Sequence, residues 1–294
     1  MTRASSVHGA TLRTPGTICS AISRRHRLAS LPGHHFDPVA VGIDQSHHLA
    51  ATGFAQILDE TGGVVDVLVN NAGVGGNATA EECSPALHLD VMNVNLCGAV
   101  RCSQAVLPGM RERGRGTIVN VTSVVGRIAA LAQSPYVTSK WALEGFSEEM
   151  AQEVAPFGIR IAIVEPGVTK SAIFAKNIDM PNLTGAYDDA YRRMFQMYAA
   201  GLAHATDPFE VAAVVHHAVT TDQPRLRYAV SWASKELIEG RAAITDEQWV
   251  AMGIAAGALE HALEWAKGRE QFGRPIGVPT IDQDQPFARS EEHT

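Results

Sequence analysis

The sequence predicts an α/β fold in which helices cover both faces of a doubly wound parallel sheet. Two observations lead to this prediction. Largely apolar runs such as VVDVLVNNAG, GTIVNVTS and GIRIAIVEPG have the length and composition of strands that are buried on both faces, as the strands of a parallel sheet are. Longer stretches with apolar residues at helical spacing separate these runs, so that strands and helices alternate along the chain.

Composition limits the classes of function. The 294 residues suffice for one large domain or two small ones, and a hydrophobic content of 46% is ample for a buried core. A formal net charge of -7 argues against nucleic-acid binding, and no apolar run approaches the length of a membrane span. The cysteines and histidines lack the spacings of metal-binding motifs. We therefore expect a cytoplasmic protein with reduced cysteines and no metal, nucleic-acid or membrane partner.

Local signals assign the elements of the N-terminal part in order. The run TICSAISRR predicts a strand followed by a basic turn, and PVAVGIDQ predicts a further strand that ends at Asp44. A helix is expected from residue 50 to residue 60, where two glycines break the pattern. The strand VVDVLVNNAG then ends at Asn71, at the carboxyl edge of the sheet, where ligands bind in open α/β folds.

The central part continues the alternation. The chain reads as one long helix from Leu87 to Met110, with Pro108 and Gly109 as its stop signal. The short run GTIVNVTS is a buried strand that delivers Ser123 to the carboxyl edge of the sheet. The next strand is GIRIAIVEPG, and the last is RLRYAVSW.

Two more helices have clear start signals. Ser134 is a good N-cap with Pro135 in the first turn behind it, and the helical pattern that follows ends at Gly158. The segment DPFEVAAVVHHAV predicts a helix that Asp207 and Pro208 open.

A tyrosine and a lysine in the first of these helices stand at a chemically informative spacing. Tyr136 and Lys140 are four residues apart and therefore share one face of the helix. A neighbouring cation favours the phenolate form of a tyrosine, so this pair is suited to exchange a proton with an alcohol or carbonyl oxygen. Ser123 could donate a hydrogen bond to the same oxygen. Taken alone, the pair is also typical of an ordinary amphipathic surface.

Several other motifs occur with this pair in a fixed order, and together they indicate a resemblance to a known protein family. VLVNNAG, VNLCG, IVNVTS, SPYVTSK and VEPG follow one another within residues 20–250, and their order resembles that of the short-chain dehydrogenase/reductases. The resemblance implies a Rossmann-like fold, Tyr136 as the acid/base, and Lys140 as the partner that lowers its pKa and holds the nicotinamide ribose. It also implies Ser123 as the donor to the substrate oxygen and Asn95 as an anchor of the proton-relay water.

The glycine-rich turn of the family, TGxxxGxG, has no clear counterpart. In a doubly wound fold this turn opens a helix whose N-terminus holds the cofactor pyrophosphate. The chain offers HGATLRTPG, in which Arg13 and Pro15 stand where glycines are expected. A bulky side chain obstructs close approach of the backbone, and proline lacks an N–H donor. We therefore predict that the first βα unit is missing or replaced.

The turn after the first predicted strand indicates the cofactor. By resemblance, Arg24 and Arg25 fall where a cation contacts the 2′-phosphate of NADP, and Asp44 falls where an aspartate contacts the adenine ring. A solvated basic turn is the alternative reading of the arginines. The expected cofactor is NADP, with NAD as the alternative.

The resemblance implies two further cofactor-binding segments. The one on the adenosine side consists of Asn71, Ala72 and Gly73. The one beside the nicotinamide consists of Pro166, Gly167, Val168 and Ser171, the last of which stands where the family often has threonine. A tight turn alone would also explain the sequence NNAG.

Residues 172–205 correspond, by the same resemblance, to the insertion that covers the substrate. Methionine and aromatic side chains adapt to irregular apolar shapes, and the segment contains Phe174, Met180, Tyr187, Tyr191, Met194, Phe195, Met197 and Tyr198. A bulky lipophilic alcohol or carbonyl is therefore an expected partner, although ordinary helix packing explains the same residues equally well. The family commonly pairs the helix at 87–110 and the helix of Tyr136 across a two-fold axis, which implies a homodimer or homotetramer.

The tail at residues 251–294 differs in character from the rest. GIAAGALEHALEWAKGREQFGRPIG resembles a segment of the acyl-CoA dehydrogenases in which residues equivalent to Arg269 and Phe272 help to hold FAD. Everything else that such a fold needs is absent, so flavin binding is not expected. The residues from 278 onward read as unstructured. A chimeric or frame-shifted reading frame is one hypothesis for this tail and the unusual N-terminus.

The sequence thus predicts an oxidoreductase that moves a hydride between NADP(H) and a secondary alcohol or carbonyl by a tyrosine acid/base mechanism. The expected domains are an irregular segment at 1–19, the dehydrogenase domain at 20–250 and the tail at 251–294. The first alternative is a catalytically impaired or non-catalytic relative, truncated or chimeric, that cannot hold the cofactor pyrophosphate. A flavin-linked protein is the second alternative, and it predicts a yellow preparation.

Overall fold

The part of the chain that the structure describes comprises residues 19–22, 64–171, 173 and 180–254 of a computed structural model. Several sequence-based predictions lie outside the described residues, namely the segment before Cys19, Arg24, Arg25, Asp44, the helix at 50–60, and the tail residues Arg269 and Phe272. The chain divides into two compact units, Met1–Ile238 and Glu239–Thr294. The domain boundaries at 19/20 and 250/251 stay predictions.

Within the described residues, five strands form one sheet in the order β1-β2-β3-β4-β5. They are β1, Cys19–Ile22; β2, Val67–Asn70; β3, Gly116–Val121; β4, Ile159–Pro166; and β5, Arg227–Val230. From β2 to β5 neighbouring strands are parallel, which confirms the predicted parallel sheet. Asn70 lies opposite Asn120, and Val121 lies opposite Val164. The carboxyl ends of β2, β3 and β4 therefore meet at one edge.

Strand β1 departs from the parallel arrangement. It pairs antiparallel with β2, so that Cys19 lies opposite Asn70 and Ile22 lies opposite Val67. The sequence correctly predicted a strand at this point but placed it in a parallel sheet, and its direction was wrong. An edge strand presents unpaired N–H and C=O groups, and a neighbour of either direction can satisfy them.

Seven α-helices lie within the described residues. They are α1, Pro85–Met92; α2, Gly98–Arg113; α3, Ser134–Val154; α4, Asp188–Ala203; α5, Pro208–Thr220; α6, Ser234–Ala242; and α7, Asp246–Ile254. The predicted start of α5 is confirmed, because the Asp207 side chain accepts a hydrogen bond from the Phe209 N–H at 2.9 Å. Ser134 is the first residue of α3 instead of its cap, and Gln133 precedes it.

The predicted long helix at 87–110 is divided and extended. A π-helical turn, Asn93–Cys97, separates α1 from α2, and α2 runs through Pro108 to Arg113. The prediction that Pro108 and Gly109 end the helix was wrong. Proline removes one backbone hydrogen bond, which packing of a buried helix tolerates, whereas Gly114 adopts a left-handed conformation with φ 65° that stops the helix.

Apolar side chains cover both faces of the sheet. On one face Leu68 and Ile118 pack with Val106 and Met110 of α2 and with other core residues. On the opposite face Val69, Val119 and Val164 pack with α5, including its buried Ala218. Helices therefore pack against both faces of the sheet, which confirms the predicted doubly wound α/β architecture. None of the described helices combines the length and apolar character needed to cross a lipid bilayer.

Candidate active site

The predicted catalytic side chains come from three elements around the carboxyl edge of the sheet. Ser123 follows β3 after one intervening residue, Tyr136 and Lys140 lie in the first two turns of α3, and Asn95 lies in the π-helical turn. The parallel register brings the end of β3 beside the end of β4, where Pro166 lies. Strand ends at this edge are the usual ligand sites of doubly wound folds.

Tyr136, Ser123 and Lys140 lie together as predicted. The Ser123 hydroxyl forms a hydrogen bond with the side chain of Tyr136. The Lys140 ammonium lies 5.7 Å from the centre of the Tyr136 ring, and it donates a hydrogen bond to the Val121 carbonyl at 3.1 Å. Lys140 is only 4% exposed. The helical spacing and the strand end therefore place one phenol between a hydroxyl and a cation.

The proton affinity of Tyr136 differs from the sequence-based expectation. Burial raises the pKa of Tyr136 above its ordinary value, and the hydrogen bond with Ser123 only partly opposes this rise. The expected lowering by Lys140 is absent from this structure, because the ammonium lies over the ring, 5.7 Å from its centre, and bonds the Val121 carbonyl instead of the phenol oxygen. At neutral pH the phenol therefore carries its proton.

Burial also acts on the lysine. It lowers the pKa of Lys140 from 10.5 to about 8, and the negative charge of Glu144 opposes this change. A lysine with this pKa is mostly charged at pH 7 and loses its charge over the mildly alkaline range. Lys140 is thus a cation that its surroundings keep close to deprotonation.

Asn95 connects the π-helical turn to the start of α3. Its amide nitrogen donates hydrogen bonds to the Val74 carbonyl and the Ser139 hydroxyl, both at 2.9 Å, and its oxygen accepts from the Val74 N–H at 2.8 Å. The Ser139 hydroxyl donates onward to the Tyr136 carbonyl at 2.8 Å. Asn95 therefore helps to position the backbone of Tyr136, while its role with a relay water stays a prediction.

The last residue of β2 is a buried, hydrogen-bonded asparagine that sequence reasoning missed. Among the predicted adenosine-side residues, Ala72 is buried and Asn71 is exposed. The neighbouring Asn70 is buried, and its amide donates to the Asn120 side chain at 2.8 Å, which donates in turn to the Ser147 hydroxyl at 2.7 Å. An asparagine inside an otherwise apolar strand needs a buried partner, and this signal was present in both VLVN and TIVNV.

Gly73 lies against two of the predicted catalytic residues, Asn95 and Lys140. A methyl group at Gly73 would come within 3.3 Å of the Asn95 side-chain oxygen and 3.6 Å of the Lys140 nitrogen. A glycine here leaves space beside the lysine. The structure therefore brings the end of β2 into the same site as α3.

The predicted nicotinamide segment begins at the end of β4. Gly167 donates a backbone hydrogen bond to the Val230 carbonyl at 2.8 Å, and Val168 pairs with Trp232. Ser123 donates to the Pro166 carbonyl at 3.4 Å, so this segment adjoins the predicted catalytic serine. Ser171 is exposed and accepts a hydrogen bond from the N–H of residue 173, which leaves its predicted cofactor contact as a prediction.

Replacing Gly167 with alanine should destabilise the protein. A methyl group there would lie 2.1 Å from the Trp232 carbonyl oxygen, and backbone cannot give way as a flexible side chain does. We expect the free energy of unfolding in urea to fall by about 2 kcal/mol. Gly145→Ala is the matched control, because open space surrounds Gly145 within α3 and alanine favours a helix by up to about 1 kcal/mol. Equal stability of the two variants would contradict the prediction.

Hydrogen bonds fasten the substrate-covering segment to the loop after β2. Three tyrosine hydroxyls and one threonine hydroxyl, all from residues 184–198, bond residues 77–82. The bonded pairs are Tyr198 with Asn77, Tyr191 with Thr79, Tyr187 with Glu81 and Thr184 with Glu82. The same loop adjoins the start of α3, because the Ser134 N–H donates to the Ala78 carbonyl at 3.0 Å. The aromatic residues therefore serve both packing and placement of this segment.

Tyr198 of this set interacts electrostatically with Tyr136, the predicted catalytic tyrosine. Its hydroxyl donates to the Asn77 oxygen at 2.9 Å. Burial raises the pKa of Tyr198, and negative charge on Tyr136 raises it further. The two phenols are thus close enough for one to influence the other, and α4 borders the site.

Comparison with known proteins identifies the family. The sequence profile of the family described as short chain dehydrogenase matches residues 20–182, which is more than half of the chain. The chain belongs to the short-chain dehydrogenase/reductase family. This result confirms the resemblance of its motifs, whereas the similarity of the tail to acyl-CoA dehydrogenases remains unconfirmed.

Individual proteins show how far the similarity to this dehydrogenase family extends. The chain is 35% identical over 178 residues to the 3-ketodihydrosphingosine reductase of Bacteroides thetaiotaomicron, covering 60% of this chain and 65% of that protein. A short-chain dehydrogenase structure from Streptomyces avermitilis is 29% identical with a TM-score of 0.61, covering 80% of each chain. A short-chain dehydrogenase from Burkholderia cenocepacia, solved in complex with NADP, is 22% identical with a TM-score of 0.56 over 74% of this chain and 78% of that chain. The chain spans about three fifths of the length of several curated relatives that it matches.

Proposed function

We propose that this short-chain dehydrogenase/reductase transfers a hydride between NADP(H) and a secondary alcohol or carbonyl compound. The observation that carries the proposal is the meeting of Tyr136, Ser123 and a buried Lys140 at the carboxyl edge of the sheet. A phenol placed between a hydroxyl donor and a cation suits proton transfer to a substrate oxygen. Membership of the family supports the same reaction class.

In the proposed mechanism Tyr136 moves the proton. Its raised pKa leaves the phenol protonated at neutral pH, ready to donate to a carbonyl oxygen that is being reduced. Ser123 donates a hydrogen bond to the same oxygen, and the Lys140 ammonium would turn from the Val121 carbonyl towards the phenolate that remains and stabilise it. In the oxidative direction Tyr136 takes the proton back from the alcohol.

The nicotinamide end of the site fits a cofactor. Because Gly73 has no side chain, the space beside Asn95 and Lys140 stays open. Lys140 would hold the nicotinamide ribose there. Residues 166–168 would contact the ring. When bound, the nicotinamide supplies or accepts the hydride. The choice of NADP is supported by Arg24 and Arg25 in the sequence and by the NADP complex of the Burkholderia protein.

The segment that borders the site supports a lipophilic substrate. Tyr191 and Met194 of α4 are buried against Ala132, and Met180, Tyr187 and Tyr198 pack around them. The half-buried members Met180, Tyr187 and Tyr198 keep some apolar surface accessible, which suits contact with bulky hydrocarbon groups. The name of the Bacteroides relative, a 3-ketodihydrosphingosine reductase, is consistent with this substrate class.

We also propose that the chain forms a homodimer or homotetramer in the cytoplasm. Leu89 of α1 and Trp141 of α3 are large apolar side chains that are 68% and 48% exposed. Both lie on the helices that the family resemblance assigns to a two-fold interface. A second copy of the chain would remove these apolar surfaces from water.

Titration with cofactor tests the proposal. We expect NADPH to bind the full chain saturably and more tightly than NADH, because Arg24 and Arg25 would pair with the 2′-phosphate. A charge-assisted contact of this kind gives roughly tenfold preference. Quenching of tryptophan fluorescence or calorimetry measures both affinities. Double substitution of Arg24 and Arg25 by glutamine should remove the preference while leaving NADH binding unchanged.

The alternative function is that of a non-catalytic relative. The antiparallel β1 supports it, because a dinucleotide-binding sheet normally has a parallel strand that leads into the pyrophosphate turn. Lost pyrophosphate contacts would cost several kcal/mol, and about 1.4 kcal/mol is tenfold in affinity. Absence of NADPH and NADH binding at millimolar concentration would therefore favour the alternative and contradict the proposed enzyme.

A further inference from the structure

An ionic network lies behind the catalytic lysine. Its members are Glu144 and Glu148 of α3, Glu165 of β4, Arg127 and Arg227. Glu144 stands one helical turn after Lys140 and is likewise only 4% exposed. Residues four apart share one face of a helix, so the carboxylate and the ammonium occupy the same buried face of α3.

Two hydrogen bonds hold Glu144 in place. The Thr122 hydroxyl donates to one of its oxygens at 2.6 Å, and the Arg227 Nε donates to the other at 3.0 Å. Thr122 immediately precedes Ser123. A methyl group at Gly126 would lie 3.0 Å from Cγ of Glu144, so the space around the side chain is closed. This one carboxylate joins the strand end that carries the catalytic serine to the helix that carries the catalytic lysine.

Arg227 distributes positive charge among the carboxylates. Its Nε lies 3.0 Å from Glu144 and 3.6 Å from Glu165, and its terminal nitrogen lies 2.5 Å from Glu148. Arg127 pairs with Glu165 at 3.1 Å. Counted with Lys140, the group has three acidic and three basic side chains, so neutralising one carboxylate leaves an excess of positive charge.

Groups from α3, β3 and β5 face Lys140 and Glu144. Lys140 is faced by Tyr136 and Glu144 of its own helix and by the Val121 carbonyl of β3. Arg227 from β5 faces Glu144. The negative charge of Glu144 raises the pKa of Lys140, against the larger effect of burial. Within this set, Glu144 is therefore the charged group that favours the charged lysine, beside the hydrogen bond to the Val121 carbonyl.

We propose that Glu144 is a positioning residue that keeps Lys140 positively charged at neutral pH and, through Thr122, holds Ser123 in place. The catalytic meaning of this inference rests on the proposed function. The coupling of the two charges, however, is a property of the folded chain alone. It can therefore be measured without cofactor or substrate.

The test is an NMR titration of lysine in the full chain. The sequence contains five lysines, Lys140, Lys170, Lys176, Lys235 and Lys267, so selective labelling with ε-¹³C lysine gives few signals. Loss of one signal in Lys140→Met assigns Lys140. In Glu144→Gln, an isosteric neutral replacement, we expect the Lys140 titration midpoint to fall by about one pH unit. The alkaline limb of kcat/KM for carbonyl reduction should move in the same direction.

Glu148→Gln is the matched control. Glu148 lies on the same helix and bonds the same arginine, but it is 55% exposed and its contact to Arg227 is screened by water. We expect its effect on the Lys140 midpoint to stay below about 0.3 pH units. An unchanged Lys140 midpoint in Glu144→Gln would overturn the inference, because it would show that Glu144 has a purely structural role. An equal shift in both variants would also overturn it, because the effect would then not be specific to Glu144.

A second variant covers the case in which Glu144→Gln does not fold. Arg227→Gln removes the cation that competes with Lys140 for Glu144, so the Lys140 midpoint should rise. A midpoint that falls or stays unchanged would count against the inference. If the midpoints shift as expected but no hydride transfer is found with any carbonyl, the charge coupling holds and the proposed function fails.

Discussion

Tyr136→Phe should reduce turnover by about a thousandfold while leaving the fold intact. Proton transfer by a positioned side chain contributes roughly 100- to 10,000-fold, and phenylalanine removes the proton that Tyr136 would give to the substrate oxygen. The hydroxyl forms a hydrogen bond with Ser123, whose own hydroxyl still has the Pro166 carbonyl as a partner at 3.4 Å when the phenol is removed. The measurement is the rate of NADPH oxidation with a panel of ketones at pH 7.

Tyr198→Phe is the matched control for this prediction. Tyr198 also carries a buried phenol near the site, but its hydroxyl donates to Asn77 and has no assigned proton-transfer role. Loss of one neutral hydrogen bond corresponds to an effect of about tenfold or less on kcat/KM. Thermal unfolding of both variants verifies that each is folded. Turnover retained in Tyr136→Phe would refute the proposed acid/base role.

Lys140→Met should make the protein more stable at neutral pH although it removes a proposed catalytic group. The folded-state pKa of about 8 lies below the ordinary 10.5, which corresponds to a burial cost of about 3 kcal/mol at pH 7. The lost hydrogen bond to Val121 offsets about 1 kcal/mol of this gain. We therefore expect the free energy of unfolding in urea to rise by about 2 kcal/mol, together with a fall in turnover.

The difference in stability between Lys140→Met and the wild-type protein should depend on pH. Between pH 8 and 10.5 the unfolded chain holds a proton on Lys140 that the folded protein has released, so the wild-type protein gains stability from this group as pH rises. The advantage of Lys140→Met should therefore shrink across this range and give way at its upper end to a disadvantage of up to about 1 kcal/mol from the lost hydrogen bond. Lys170→Met, at an exposed lysine, should change stability by less than about 0.5 kcal/mol at either pH. A constant difference between Lys140→Met and the wild type would contradict the assigned burial cost.

Local patterns were sufficient to predict most of the elements that build the site. The strands that end at Asn70, Val121 and Pro166 appear in the sequence as short apolar runs, and each is present in the parallel sheet. The start of α5 at Asp207 and Pro208 is present as well. These features depend on neighbours only a few residues apart, and the sequence contains that information directly.

Features that depend on distant partners were missed. Asn70 and Asn120 stand fifty residues apart and meet only because two strands share a register. The direction of β1 depends on which strand edge is open to it, and the run of α2 through Pro108 depends on the packing of that helix. The joining of Glu144 to Thr122 and Arg227 likewise brings together α3, the end of β3 and β5.

The sequence alone determined the fold class, the family and the identity of the tyrosine, lysine and serine, because periodicity and motif spacing are local properties. Only the tertiary structure decided the direction in which the pKa values of Tyr136 and Lys140 are shifted. Burial raises the pKa of Tyr136 and lowers that of Lys140. The cost of burying a charge depends on what surrounds it in three dimensions, and for Lys140 that surrounding includes a carboxylate held by a strand far along the chain.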